Sequence, residues 1–280
     1  MVRGIMVNIM KKYLYRCVCG LMGLFYSVQA MQAEERMVTI TTNVGVMKAK
    51  LYENVPNHVK TFIARAQNGE YDGTLFTRVI KDFMIQGGAP DSRGAAPGAR
   101  VGFGDRSAEI LPEMRPEYFH KKGALAAPRQ NDDVNPQRKS DMSQFFIVEG
   151  RVYRSGELDT LEKVQNYKIR QKALKLYYHP QRVELDSLKK ADPKEYNKRI
   201  AVVRNKVDSL ILATPGHLIF TDEQRKAYTT VGGSHHLDGH YTIFGELTEG
   251  FEVLDKIASQ KTDQYDRPLN DIKIIKVTIE

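Results

Sequence analysis

Strand-like alternation of apolar and polar residues fills both ends of this chain and is missing from its middle. This points to one β-rich unit assembled from two stretches of sequence that a helical block separates. Over residues 37–52, Val38, Ile40, Val44, Val46 and Leu51 stand among threonines and lysines around Asn43-Val44-Gly45, the pattern of a strand, a turn and a second strand. Residues 57–67 carry Val59, Phe62 and Ile63 at helical spacing, follow Pro56 and stop at Asn68-Gly69. Residues 71–88 read as two strands bent around Lys81-Asp82, and the Gly-, Ala- and Pro-rich residues 87–106 as an ordered surface loop. Short strands are expected at 124–127 and 144–148. Beyond Gly232-Gly233 the alternation returns, with a strand over 241–245, a helix over Phe251–Ala258 and a last strand over 272–279.

Between these stretches, over residues 157–213, glycine all but vanishes and apolar residues recur near the helical period. Leu158, Leu161, Val164, Ile169, Leu174 and Leu176 mark one helix; Ile200, Val203, Val207, Leu210 and Ile211 mark another. His179-Pro180 and Asp192-Pro193 interrupt them, so a helical hairpin with a short middle piece is expected. Its mixed charge and lack of a heptad run suit a solvated arm with one apolar stripe, the alternative being an arm that binds client proteins. A chain of 280 residues, 41% hydrophobic, can bury one full core and still carry such an accessory. The organisation expected is a β-barrel or sandwich built from residues 37–150 and 231–280, with 151–230 as a charged helical insertion.

The amino terminus differs in character. Lys11, Lys12 and Arg16 precede an apolar run from Cys17 to Val28 and a small-residue site at Val28-Gln29-Ala30, the order of a secretory signal over residues 1–30. The apolar run is well short of the roughly 20 residues that a membrane span needs, so membrane association is expected only if the signal is retained as an anchor. Export places the protein in the periplasm or elsewhere in the cell envelope. Cys17 and Cys19 both fall in this segment, which leaves the processed chain without disulfides, thiolate metal sites or a cysteine nucleophile. Half of the net charge of +8 sits in Arg3, Lys11, Lys12 and Arg16, and no basic face with stacking aromatics follows, so nucleic acid is not an expected partner.

The segment from Phe76 to Gly88 carries the chemistry. It sets Arg78 and Gln86 among Phe83, Met84 and Ile85, and a period of two puts Arg78, Met84 and Gln86 on one face if the bend at Lys81-Asp82 keeps register. An arginine at the rim of an apolar pocket would result. His235-His236 invites a metal reading, but adjacent strand residues face opposite ways and no carboxylate accompanies them, so no metal is assigned.

This segment resembles the F-x-R-V-x-x-x-F-M-x-Q-G-G signature of the cyclophilins, with every fixed position present. Ser143-Gln144-Phe145-Phe146-Ile147 is similar to the family's S-Q-F-F-I strand, and Leu237-Asp238-Gly239-His240-Tyr241-Thr242-Ile243-Phe244-Gly245 resembles its L-D-G-x-[HY]-x-V-F-G strand. The resemblance implies an eight-stranded antiparallel barrel capped by two helices, here interrupted by the helical insertion, and peptidyl-prolyl cis-trans isomerase activity on exported or unfolded chains. It makes Arg78 the catalytic arginine. Phe83, Met84, Phe146, Leu237 and Tyr241 would line a proline pocket, Gln86 would hold Arg78 and the substrate backbone, and Gln144 and Arg129 would meet the substrate chain. No bond is broken in such a reaction, so neither metal nor cofactor is implied. The chain is expected to be a monomer acting on proline-containing polypeptides, with an envelope chaperone or proline-peptide binding module as the alternative. His236 stands where many members have a tryptophan that favours cyclosporin binding, so drug sensitivity is not carried over. Tyr241 stands where many eukaryotic members have histidine, a change also familiar in bacterial members that retain isomerase activity.

Overall fold

The computed structural model describes residues 36–280, and the expected export signal lies outside the described residues. In β1 (Met37–Thr42) every second side chain is buried, turning Val38, Ile40 and Thr42 inward; in β2 (Gly45–Leu51) the same alternation turns in Met47, Ala49 and Leu51. Helix α1 (Pro56–Gln67) starts on a proline, whose fixed φ suits the first turn, and buries Val59, Phe62 and Ala66. It has no side-chain cap of its own. Glu113 takes that part from a distance, accepting from the backbone N–H of Asn57 at 3.2 Å and of His58 at 2.9 Å, where the helix dipole favours a negative charge.

Strands β3 (Phe76–Ile80) and β4 (Met84–Gly87) are joined through Asp82, whose φ of +61° is a left-handed conformation that aspartate tolerates better than bulkier residues. The turn keeps register, pairing Arg78 with Gln86 and Ile80 with Met84. The remaining strands are β5 (Glu109–Ile110), β6 (Ala124–Ala126), β7 (Ser140–Asp141), β8 (Phe145–Val148), β9 (Ile243–Glu249) and β10 (Ile274–Ile279). Eight of them form one curled antiparallel sheet in the order β10-β1-β2-β9-β6-β8-β4-β3, while β5 and β7 pair separately. The two ends of that order meet: Leu75 bridges Lys273, and the Phe76 N–H donates to Ile272 O at 2.9 Å. The sheet thus encloses its core, in which Phe62, Tyr71, Phe76, Phe145 and Phe244 meet edge to face or tilted. Helix α1 closes one side of this core, and the apolar face of a late helix (Phe251–Ala258) contributes Val253, Leu254 and Ile257.

Between β8 and β9 the chain is helical, in more pieces than the sequence pattern suggests: α2 (Glu157–Gln165), α3 (Tyr167–Tyr177), α4 (Arg182–Ala191), α5 (Pro193–Ala213) and α6 (Asp222–Thr230); the late helix is α7. The apolar series 158–176, expected to mark one helix, is divided at Asn166. Its amide donates to Leu218 O at 2.6 Å and accepts from Leu218 N at 2.9 Å, tying the outgoing chain to the returning one. Because the helix breaks there, Val164 and Leu176 leave the stripe and are exposed. The expected short middle piece is a full helix, α4, packed on α5. Helix α6 was not expected, although its start is encoded locally: Thr221 and Gln224 form a reciprocal capping box. Two small cores result. One joins Ala173, Leu185, Val203, Val207 and Ile211 within α3–α5; the other joins Phe119, Tyr153, Leu158, Phe220 and Tyr228.

Candidate active site

Register across four strands creates the site. Arg78 on β3 pairs with Gln86 on β4, Gln86 with Phe146 on β8, and Phe146 with Ala126 on β6. Directly paired residues share a sheet face, so a guanidinium, an amide, an aromatic ring and a methyl group form one row. Their face is the outer one, opposite the enclosed core. Two pairs along, and so on the same face, Ile80, Met84 and Val148 form a parallel row. Met84, Phe146, Ala124, Ala126, Val148, Leu237 and Ile243 make a single buried apolar cluster, with Phe83 and Tyr241 half-buried at its edge. The strand expected over 241–245 begins only at Ile243; Tyr241 precedes it and stands edge-on to Phe146, with ring centres 5.7 Å apart.

Leu237 reaches the cluster from a 3₁₀ turn, His235–Leu237, which replaces the strand geometry expected for the two histidines. The His236 ring lies 5.2 Å from that of Phe83. Among the described residues, no group of three or more His, Cys, Asp or Glu is placed to hold a metal.

One polar contact differs from the family-based expectation. Gln86 does not hold Arg78: its amide donates to Gln144 Oε1 at 3.0 Å, and the Gln144 amide donates to Asp141 Oδ2 at 3.0 Å. Arg78 is instead steadied by Asp266, whose carboxylate accepts from Nε at 3.2 Å while its backbone carbonyl accepts from Val79 N–H at 2.8 Å. The Arg78 side chain is half-exposed, and it meets Asp266 through Nε. Arg129 is held by the protein itself. Its Nε donates to His240 O at 2.7 Å, its Nη1 to Asp132 at 2.6 Å, and its guanidinium covers the Tyr241 ring at 4.9 Å.

Sequence reasoning missed Asp266, because nothing in Asp263-Gln264-Tyr265-Asp266 links it to a residue almost two hundred positions earlier. It also missed His120, buried behind Phe146 with the two rings parallel and 6.1 Å apart. The His120 Nδ1–H donates to Asp238 at 3.0 Å, but burial outweighs that carboxylate and pushes the imidazole pKa down, so the ring is neutral near pH 7. Its Nε2 has no hydrogen-bond partner among the described residues.

A curled eight-stranded antiparallel sheet bearing an arginine beside an outward apolar cluster defines the cyclophilin class of fold. The family model of cyclophilin type peptidyl-prolyl cis-trans isomerase/CLD matches residues 37–168 and 192–279, more than half of the chain. The chain therefore belongs to this family of isomerases. It is 28% identical over 250 residues to a provisionally named peptidyl-prolyl cis-trans isomerase of Staphylococcus haemolyticus, covering 89% of this chain and 93% of that one. A similarly named protein of Staphylococcus aureus strain USA300 is 29% identical over 250 residues, covering 89% and 94%. A cyclophilin type peptidyl-prolyl cis-trans isomerase of Cryptosporidium parvum shares the fold, with a TM-score of 0.50 at 20% identity over 88% of this chain and 98% of that structure.

Proposed function

We propose that this isomerase accelerates rotation about X-Pro bonds in exported polypeptides, with Arg78 stabilising the twisted imide over an apolar proline pocket. The row Arg78, Gln86, Phe146 and Ala126 carries this reading, because it sets a cation beside an outward-facing apolar cluster. Rotation is opposed by amide resonance, a barrier of roughly 18–20 kcal/mol, and both isomers of X-Pro are populated in unfolded chains. In the twisted state the proline nitrogen regains its lone pair. A guanidinium directed at that nitrogen stabilises the twisted form more than the planar one, which is the condition for catalysis. Asp266 occupies Nε and leaves the terminal nitrogens for the substrate, a division of donors that lysine cannot make. The ring would rest on Met84, Phe146 and Leu237, away from water, where the hydrogen bond is stronger. Gln86, held by Gln144, and the backbone near Arg129 would position the flanking chain.

The basic, apolar and small-residue order of residues 1–30 supports export to the cell envelope. No helix among the described residues is long and apolar enough to cross a membrane. A holding function for the helical segment is the second reading, favoured by exposed Val164, Leu176, Val183, Val202 and Leu212. A protease-coupled assay on a proline tetrapeptide tests the catalytic reading: turnover is expected, and its absence from folded protein refutes it. Fractionation of cells expressing the full chain tests export, which fails if the protein stays uncleaved in the cytoplasm. Suppression of client aggregation, measured with and without a proline-pocket blocker, separates holding from isomerisation.

A further inference from the structure

The helical segment between β8 and β9 meets residues that back the apolar cluster and that the isomerase chemistry does not use. Asp238 follows Leu237, and its carboxylate is surrounded by donors from two parts of the fold. Oδ1 accepts from His120 N–H at 2.7 Å and from His120 Nδ1 at 3.0 Å. Oδ2 accepts from the Tyr228 hydroxyl at 2.5 Å and from the Gln224 amide at 3.5 Å. Tyr228 and Gln224 belong to α6, while His120 precedes β6. On the other side, His120 lies parallel to Phe146 and edge-on to Tyr241 at 6.3 Å, so the carboxylate joins α6 to two walls of the pocket.

A second set of contacts reaches the third wall. The His235 ring, at the start of the turn that carries Leu237, is packed by Tyr153 at 5.4 Å, Phe220 at 5.4 Å and Tyr228 at 6.4 Å. The Ser234 N–H donates to His120 O at 2.8 Å, and Leu237 N–H to Ser234 O at 3.0 Å. The turn that presents Leu237 is therefore clamped between His120 and the aromatic core of the helical segment. Tyr228 is fully buried in that core and has no exposure to the cleft.

We infer that the helical segment sets the width of the proline pocket, and that Tyr228 and Asp238 are positioning residues for Leu237 and for the stack of His120, Phe146 and Tyr241. This rests on the reading of the apolar cluster as a proline pocket. Tyr228→Phe keeps the buried ring and deletes one hydroxyl, leaving Asp238 Oδ2 with the 3.5 Å contact to Gln224 alone. Removing one hydrogen bond to a charged acceptor in a buried site loosens the turn rather than the catalytic arginine, so substrate binding should suffer more than turnover.

The experiment titrates the full chain with a short Ala-Pro peptide by NMR and runs the same variants in the isomerase assay. For Tyr228→Phe, Kd and KM are expected to rise together by about three- to tenfold, with kcat within about twofold, and the Leu237 methyl and Tyr241 ring resonances to shift. Val207→Ala, in the separate core of α3–α5, is expected to lower the melting temperature and leave Kd and those resonances unchanged. A Tyr228→Phe protein whose Kd and pocket resonances match the unsubstituted chain overturns the inference. If that variant does not fold, Phe220→Leu, which loosens His235 and leaves the Asp238 hydrogen bonds in place, is expected to raise Kd, and no change overturns it equally. Failure of the underlying reading looks different: the unsubstituted protein then binds the peptide without turning it over, or does not bind it.

Discussion

Arg78→Ala separates catalysis from folding unusually well in this protein. The side chain is half-exposed and its ion pair is with a similarly exposed Asp266, so its loss should change stability by no more than about 1 kcal/mol. Under the proposed mechanism its catalytic loss should be larger. Removal of one well-aimed donor at a transition state costs about 2.7–4 kcal/mol in enclosed sites, and the half-open rim here argues for the lower end. At about 1.4 kcal/mol per decade, kcat/KM should fall roughly 10²-fold. Arg78→Lys should recover only part of that, because an ammonium group cannot serve Asp266 and a substrate from one rigid fork. The assay is protease-coupled isomerisation of a proline tetrapeptide, with thermal unfolding recorded on the same samples. Arg78→Ala retaining a third or more of the activity, with an unchanged melting temperature, would remove Arg78 from the chemistry.

Stability should fall as the pH is lowered from about 6.5, the ordinary histidine value, because burial pushes His58, His120, His235 and His236 below it and the unfolded chain then takes up protons that the native one refuses. Urea unfolding at pH 7 and pH 5, above the main carboxylate range, reads this directly, and a flat or opposite trend contradicts it. Gly150→Ala should destabilise by about 2–4 kcal/mol, since φ is +64° there and an added Cβ would lie 2.4 Å from Gly233 Cα; chemical denaturation measures it, and a loss under about 0.5 kcal/mol refutes the close approach. Replacing residues 168–215 by a short glycine-serine linker should leave peptide isomerisation within about twofold, because α3–α5 have their own core and the Asn166–Leu218 bonds remain to hold the ends. A collapse of activity in a folded protein would show that the distal helices reach the site.

Local pattern carried much of this fold. Alternation in β1 and β2, the proline start of α1 and the apolar face of α7 each depend on neighbours a few positions away, and those elements lie where the periodicity puts them. The signature around Arg78 was equally legible, because a two-residue period and one turn determine which side chains share a face. The helical block was read less well. Whether a helix continues through Asn166 is decided by Leu218, fifty-two positions away, which supplies the hydrogen bonds that make a break favourable.

The same distinction runs through the site. Its kinds of side chain, an arginine, a glutamine and a set of apolar residues, are written in three short blocks of sequence. Their settings are not: Asp266 reaches Arg78 only because the sheet closes on itself, and Gln86 finds Gln144 across a strand pair. Tyr228 and His120 share the Asp238 carboxylate only once the helical segment has folded back on the chain before β6. The sequence determined which groups the protein owns, since composition and short-range periodicity act along the chain. The tertiary structure alone decided which of them hold one another, since hydrogen bonds and burial act across distances in space that no spacing along the chain encodes.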